Sequence, residues 1–241
     1  MIEYPSDDWL LTPEGAAIHA VERTAVVADV HLGYEWARGA AGDSVIAHSL
    51  EETLERLTLV LERAPVARLI VAGDLVESPR PCRRTGDDVR RLREWLLGRG
   101  VSLVVLEGNH DRSLARPLGN LSQPAEPMPL TCTVAGWTVG HGHLPIRGHR
   151  SISGHHHPVL RVDRTVAPCF LVGPSRIVLP AFSPNAAGCD LATAAVPKSW
   201  LTVPLRCLAS TGTDLLDFGP LTDLRRRLRR PGSRTSQRSR R

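Results

Sequence analysis

The chain has 241 residues, 42% hydrophobic and 23% charged, which fits one sizeable globular domain and excludes a low-complexity or fibrous chain. Its five cysteines, at 82, 132, 169, 189 and 207, are odd in number and form no CxxC, which argues against a disulfide framework or a cysteine zinc site and for buried reduced thiols. The formal charge of +5 is unevenly placed: residues 223–241 hold nine arginines and one aspartate, a formal +8, so residues 1–222 sum to −3.

The acidic start, MIEYPSDDWLL, lacks the basic opening and apolar stretch of a signal peptide. No apolar run approaches the roughly 20 residues that cross a bilayer. A cytoplasmic protein with no membrane partner is expected.

Three β-branched runs then stop at small polar clusters: TAVVADVH (24–31), RLIVAGD (68–74) and VSLVVLEGNHD (101–111). Each predicts a buried strand ending in a loop rich in Gly, Asp, Asn and His. Between the first two, Leu50, Leu54, Leu57 and Leu61 repeat at helical spacing, with Ser49 and Glu52 as a capping box. Between the second and third, Val89, Leu92 and Leu96 share one helical face, with Gly98 or Gly100 as the stop. This β-α-β-α-β run predicts a parallel sheet with helical crossovers. Pro117, Pro124, Pro127 and Pro129 mark an irregular loop. After it, WTVGH, PVLRVD, APCFLVG and RIVLPAF predict a second, mixed or antiparallel sheet. Residues 1–222 therefore read as one domain. From Asp223 an Arg-rich tail is expected to be disordered, although Leu221, Leu224 and Leu228 are spaced to pack as a helix before it frays.

In such folds ligands bind at strand ends. The ends here read Asp29-Val30-His31, Gly73-Asp74 and Gly108-Asn109-His110-Asp111, and the later half adds His141-Gly142-His143 and SGHHHPV. In an extended segment neighbours alternate, so His155 and His157 would share a face and His156 would turn away. Together these pieces point to a metal site. Two divalent ions about 4 Å apart need a short bridging carboxylate at a rigid strand end, and Asp74 fits. Mixed carboxylate, amide and imidazole donors suit Mn, Fe, Zn, Co or Ni better than Mg. His110 can donate a proton or steady an anion, with Asp111 holding its ring and raising its pKa. The HGH stretch offers both His141 and His143.

The order DxH, GD, GNHD, HGH and GHxH resembles the calcineurin-like metallophosphoesterase superfamily over residues 24–158. ADVHLGYEW and RIVLPAFSPNAAG are similar to the DNA ligase-associated metallophosphoesterases and their archaeal relatives. The resemblance implies an α/β fold, a four-layer αββα sandwich of two mixed sheets flanked by helices, with a two-metal centre at its rim. It assigns Asp29, His31 and His157 to one ion, Asn109, His141 and His155 to the other, and Asp74 to both. Many relatives carry a further acid after GD. Glu77 stands in that place as a supporting group.

The implied function is a phosphodiesterase hydrolysing a nucleotide-type or cyclic-nucleotide diester by attack of a hydroxide held between two ions, with Mn²⁺ favoured. The alternative is a nuclease or nucleic-acid-binding accessory of a DNA ligase or repair complex, the Arg tail holding the polymer. Two Tyr and three Phe offer few stacking platforms for single strands, though five Trp leave room. An acidic body also disfavours wide phosphate contacts outside the tail. Other hydrolase and nucleotide signatures are absent: there is no GxSxG elbow, and with Lys198 as the only lysine there is no P-loop. Nothing in the sequence sets an oligomeric state.

Overall fold

The computed structural model describes residues 2–3, 9–114, 128–162, 164–193 and 196–229. Four short strands, β1 (Ile2–Glu3), β2 (Trp9–Leu11), β3 (Ala17–His19) and β4 (Thr24–Val27), pair antiparallel in succession. β4 then pairs with β5 (Arg68–Val71), and β5 with β6 (Ser102–Val105), both parallel. The parallel half is the sheet expected from the crossover pattern. The antiparallel half carries no comparable signal, because its strands are two to four residues long.

Helix α1 (Tyr34–Ala40) follows β4, the crossovers are α2 (Ser49–Arg63) and α3 (Arg83–Leu97), and 3-10 turns cover Asp111–Ser113 and Lys198–Trp200. Successive residues of β4 and β5 face opposite ways. Ala25, Val27, Leu69 and Val71 pack against Leu50, Leu57 and Val60 of α2 and Val89, Leu92 and Leu96 of α3. Val26, Ala28, Ile70 and Ala72 instead meet Trp137, Val139, Ile152, Phe170 and Val172 of a second sheet. Burial on both faces is why these strands read as unbroken apolar runs. Gly98 is the cap residue of α3, and Gly100 takes the left-handed φ of +72° just beyond it. At α2 the expected capping box does not form. The residue before the helix is His48, without a side-chain cap, and the Ser49 hydroxyl accepts the Gly33 N–H at 3.2 Å instead.

The second sheet contains β7 (Thr131–Val134), β8 (Trp137–Gly140), β9 (Ser151–Ser153), β10 (Pro158–Val162), β11 (Thr165–Gly173), β12 (Arg176–Val178), β13 (Cys189–Asp190), β14 (Arg206–Ser210) and β15 (Leu215–Pro220). Its order is β13-β10-β11-β12-β9-β8-β7, with β14 pairing β11 and β15 pairing β14. β8-β9, β9-β12 and β10-β13 are parallel and the other pairs antiparallel, so this sheet is mixed too. Its outer face, with Cys169, Leu171, Cys207 and Ala209, packs against Trp200 and against Leu221 and Leu224 of α4 (Leu221–Leu228). The layers run helix, sheet, sheet, helix.

The expected domain end at residue 222 falls inside α4. Leu224 is buried and the Arg225 guanidinium turns inward, donating to the carbonyls of Leu191 and Thr193, so apolar spacing prevails over the charge run. Residues 230–241 of the tail and residues 115–127 of the proline loop lie outside the described residues. All five cysteines are free, but only Cys169 and Cys207 are buried, and Cys82 is exposed. Among the described residues no helix is long and apolar enough to cross a membrane.

Candidate metal centre

β4 and β5 stop short of their motifs, yet the chain continues in register. Asp29 N–H donates to the Gly73 carbonyl, His31 N–H to Asp74 and Leu32 N–H to Leu75, and a bridge joins Leu32 to Val76. These bonds hold Asp29 (φ +58°), His31 (+53°) and Asp74 (+51°) in the left-handed region, as His155 (+71°) and His157 (+46°) also are. Non-glycine residues rarely adopt it, and such strain persists where surrounding structure enforces it, typically at functional sites.

The two aspartates are used alike. Asp29 Oδ2 accepts the His155 N–H at 2.9 Å, which leaves Oδ1 3.2 Å from His157 Nε2. Asp74 Oδ1 accepts the His110 N–H at 2.9 Å, which leaves Oδ2 3.3 Å from His141 Nε2. Each carboxylate thus ties down another motif with one oxygen and aims the second at a cluster of imidazoles. The motif glycines allow the approach. A Cβ on Gly73 would lie 2.4 Å from the His141 ring, and one on Gly108 would lie 2.1 Å from Asp74 Oδ1.

Donor atoms gather in three groups among the described residues: Asp29, His31 and His157; Asp74, His141 and His155; and His31, Glu77 and His110. Asn109 joins the second, with Oδ1 3.1 Å from His141 Nε2. His155 Nδ1 is 3.0 Å from the same nitrogen. His143 lies beside His141, ring centroids 5.1 Å apart, and belongs to none of the groups. His156 turns away and meets Trp200 edge-on at 5.3 Å. The expected partition of the three histidines is therefore present, but its cause differs. Residues 154–157 form a bend, and two left-handed residues rather than strand alternation aim the rings.

Asp111 does not hold the His110 ring, as the sequence suggests it would. Its carboxylate accepts the N–H groups of Gly108 at 3.0 Å and Val76 at 3.2 Å, and so braces the loop rather than the His110 ring. That ring's Nδ1 faces the main-chain carbonyl of Glu77. Burial, against those two bonds, pushes Asp111 up to about 6. Other partners came from the backbone. Phe182 and Ser183 N–H groups hold the carbonyls of Ala28 and Asp29, and His141 Nδ1 faces the Ala72 carbonyl. Main-chain groups leave no mark in residue type, so sequence reading could not find them.

The donor set fits divalent cations. A carbonyl opposite His141 Nδ1 requires that nitrogen to carry the proton, so Nε2 offers a lone pair, as do Asn109 Oδ1 and Asp74 Oδ2. Acceptors crowded to 3.0–3.3 Å repel unless positive charge lies among them, a metal ion or, in its absence, a proton on His141. On the other side, Asp29 Oδ1, His31 Nε2 and His157 Nε2 are buried without hydrogen-bond partners, which such structures rarely leave. The ionisation tendencies agree. Burial works against Asp74 ionising, but the hydrogen bond and charge of His141 hold it at about 2. Burial also opposes the charging of His141 and His31, and the neighbouring carboxylates raise both nonetheless. Burial, then the charge of His141, lowers His155 to about 4 and keeps its ring neutral.

A four-layer sandwich with these donors at its rim defines a protein built to hold divalent metal ions. The sequence profile described as calcineurin-like phosphoesterase matches residues 22–168, and the chain belongs to that family of phosphoester hydrolases, which implies divalent metal ions. Among solved structures it is similar to one described as the crystal structure of Pseudomonas putida nuclease MPE. The identity is 24% and the TM-score 0.66, with 89% of this chain and 98% of that chain covered.

Proposed function

We propose that the chain is a phosphodiesterase acting on nucleotide-type diesters, cyclic nucleotides included, with manganese as the favoured ion and the cytoplasm as its location. Within the family we place it beside the DNA ligase-associated enzymes, on ADVHLGYEW and RIVLPAFSPNAAG. The observation that carries the reading is the convergence of ligand-type side chains, Asp29, His31 and His157 on one side and Asp74, Asn109, His141 and His155 on the other. Asp29, His31 and His157 would hold one ion, Asn109, His141 and His155 the second, and Asp74 both. Two bound cations would neutralise phosphate charge and acidify water. His110 supplies the proton for departure. Its Nδ1–H is taken by the Glu77 carbonyl, so Nε2 is the nitrogen left to protonate the leaving oxygen. An alkyl or ribose oxygen departs poorly without that proton, which is why this acid suits diesters.

Metal analysis and hydrolysis of bis(4-nitrophenyl) phosphate with Mn²⁺ test the reading. Two ions per chain are expected, with loss of both ions and of turnover in Asp74→Ala. A chain that takes up none of several transition metals overturns it.

A second reading, a nuclease or nucleic-acid accessory, is favoured by the described activity of the Pseudomonas putida protein and by the arginines of residues 223–241. Arg225 and Arg229 are already engaged with carbonyls of residues 191–193, so an arm would begin at residue 230. Deleting residues 230–241 should weaken DNA or RNA binding at low salt and flatten its salt dependence, while turnover of a small diester holds. Equal polymer binding by both forms across a salt series removes the arm.

A further inference from the structure

Glu77 touches two imidazoles by two different groups. Its carboxylate Oε2 lies 2.9 Å from His31 Nδ1, and its main-chain carbonyl faces His110 Nδ1. The two rings meet edge to face with centroids 5.4 Å apart. Glu77 is itself held: its N–H donates to the Leu32 carbonyl at 3.0 Å, and the Leu32–Val76 bridge clamps the segment after Asp74 to the segment after His31. The Glu77 carbonyl therefore cannot leave the His110 ring without breaking that register.

We infer that Glu77 is a positioning residue that aims His31 at a metal ion through its side chain and His110 at the leaving group through its backbone. The inference rests on the metal-centre reading above. A neutral imidazole carries one proton, and a carboxylate can only accept, so Glu77 selects the tautomer of His31 protonated at Nδ1. That leaves the lone pair on Nε2, and this atom is buried, without a hydrogen-bond partner, in the group with Asp29 and His157. Behind a ligating histidine, a carboxylate fixes the ring and raises its basicity, an effect of about 10- to 100-fold in metal affinity.

The division of labour makes the roles separable, because a side-chain substitution removes the carboxylate and leaves the carbonyl. Glu77→Ala should weaken one of two ion sites about 10- to 100-fold in calorimetric titration of Mn²⁺ into the metal-free protein. The ratio of turnover on alkyl and nitrophenyl diesters at saturating Mn²⁺, which reports on His110, should not move. Glu77→Gln keeps an acceptor oxygen and should recover most of the affinity. In a His31→Ala background, Glu77→Ala should add nothing. Wild-type affinity at both sites in Glu77→Ala, equal weakening of both, or full additivity with His31→Ala overturns the inference. So does a metal-free melting temperature lowered equally in both Glu77 variants with no selective loss of one site. If the wild type itself takes up no Mn²⁺, the metal-centre reading falls and this one with it. Failure in the Glu77 variants alone leaves the centre standing.

Discussion

Replacing Gly154 by alanine tests how closely the motifs must approach. The new Cβ would lie 2.4 Å from Ala28 Cβ and 2.4 Å from Asp29 Oδ2. Carbon pairs sit best at about 3.5 Å, so the two segments must part by about 1 Å. Neither neighbour yields easily. Ala28 is buried with a single methyl group, and Asp29 Oδ2 is bound to the His155 N–H at 2.9 Å. Gly154 is not among the residues with positive φ, so the penalty comes from packing and not from backbone strain. Overpacking of this kind costs about 1–3 kcal/mol. At 2–4 °C per kcal/mol, the melting temperature of the metal-free protein should fall by roughly 2–12 °C. Turnover should fall further, by about 100-fold, since a displacement of about 1 Å at a reacting centre has that effect. Gly39 in α1 is the control. Nothing lies within 4 Å of its Cβ position, so Gly39→Ala should be neutral or stabilise by roughly 0.5–1 kcal/mol. Thermal melts, metal content and bis(4-nitrophenyl) phosphate turnover read the comparison. A Gly154→Ala protein that melts, binds metal and turns over like the wild type would refute the argument that this close approach holds Asp29 and His155 in place.

His110→Ala should keep its metals and lose far more activity on alkyl diesters than on nitrophenyl ones, because nitrophenolate departs without a proton. Equal losses on both would leave His110 steadying the phosphate instead. Asp111→Asn should show no such selectivity, since Asp111 braces Gly108 and Val76 rather than the His110 ring. Its folded pKa, about 6, lies above the ordinary 3.8, so the folded state holds the extra proton between those values. Stability of the metal-free protein should therefore decline as pH rises through that window, and Asp111→Asn should flatten the decline. An unchanged pH slope, measured by denaturant unfolding, would contradict this.

Wherever local chemistry carried the information, the sequence by itself determined the outcome. The runs around Val26 and Ile70 are apolar at successive positions, so they are strands buried on both faces, while the run around Val104 is only partly buried; the helical face of Val89, Leu92 and Leu96 is as visible in the letters as in the core. The donors at the strand ends were legible too, because Asp, Asn and His at loop positions have few other uses together. Tertiary structure alone decided the backbone geometry that aims those donors. Strand alternation would put His155 and His157 on one face, whereas their left-handed backbones send one to Asp74 and His141 and the other to Asp29 and His31. Only the fold gave the His110 ring to the Glu77 carbonyl rather than to Asp111, and turned Ser49 from a cap into a partner for Gly33. The strands β1 to β3 are too short to show a period, and they join the sheet through main-chain bonds. The reason is common to all of these. Backbone N–H and C=O groups are the same at nearly every residue, so a partner supplied by the main chain is written in no letter of the sequence and exists only once distant segments have met.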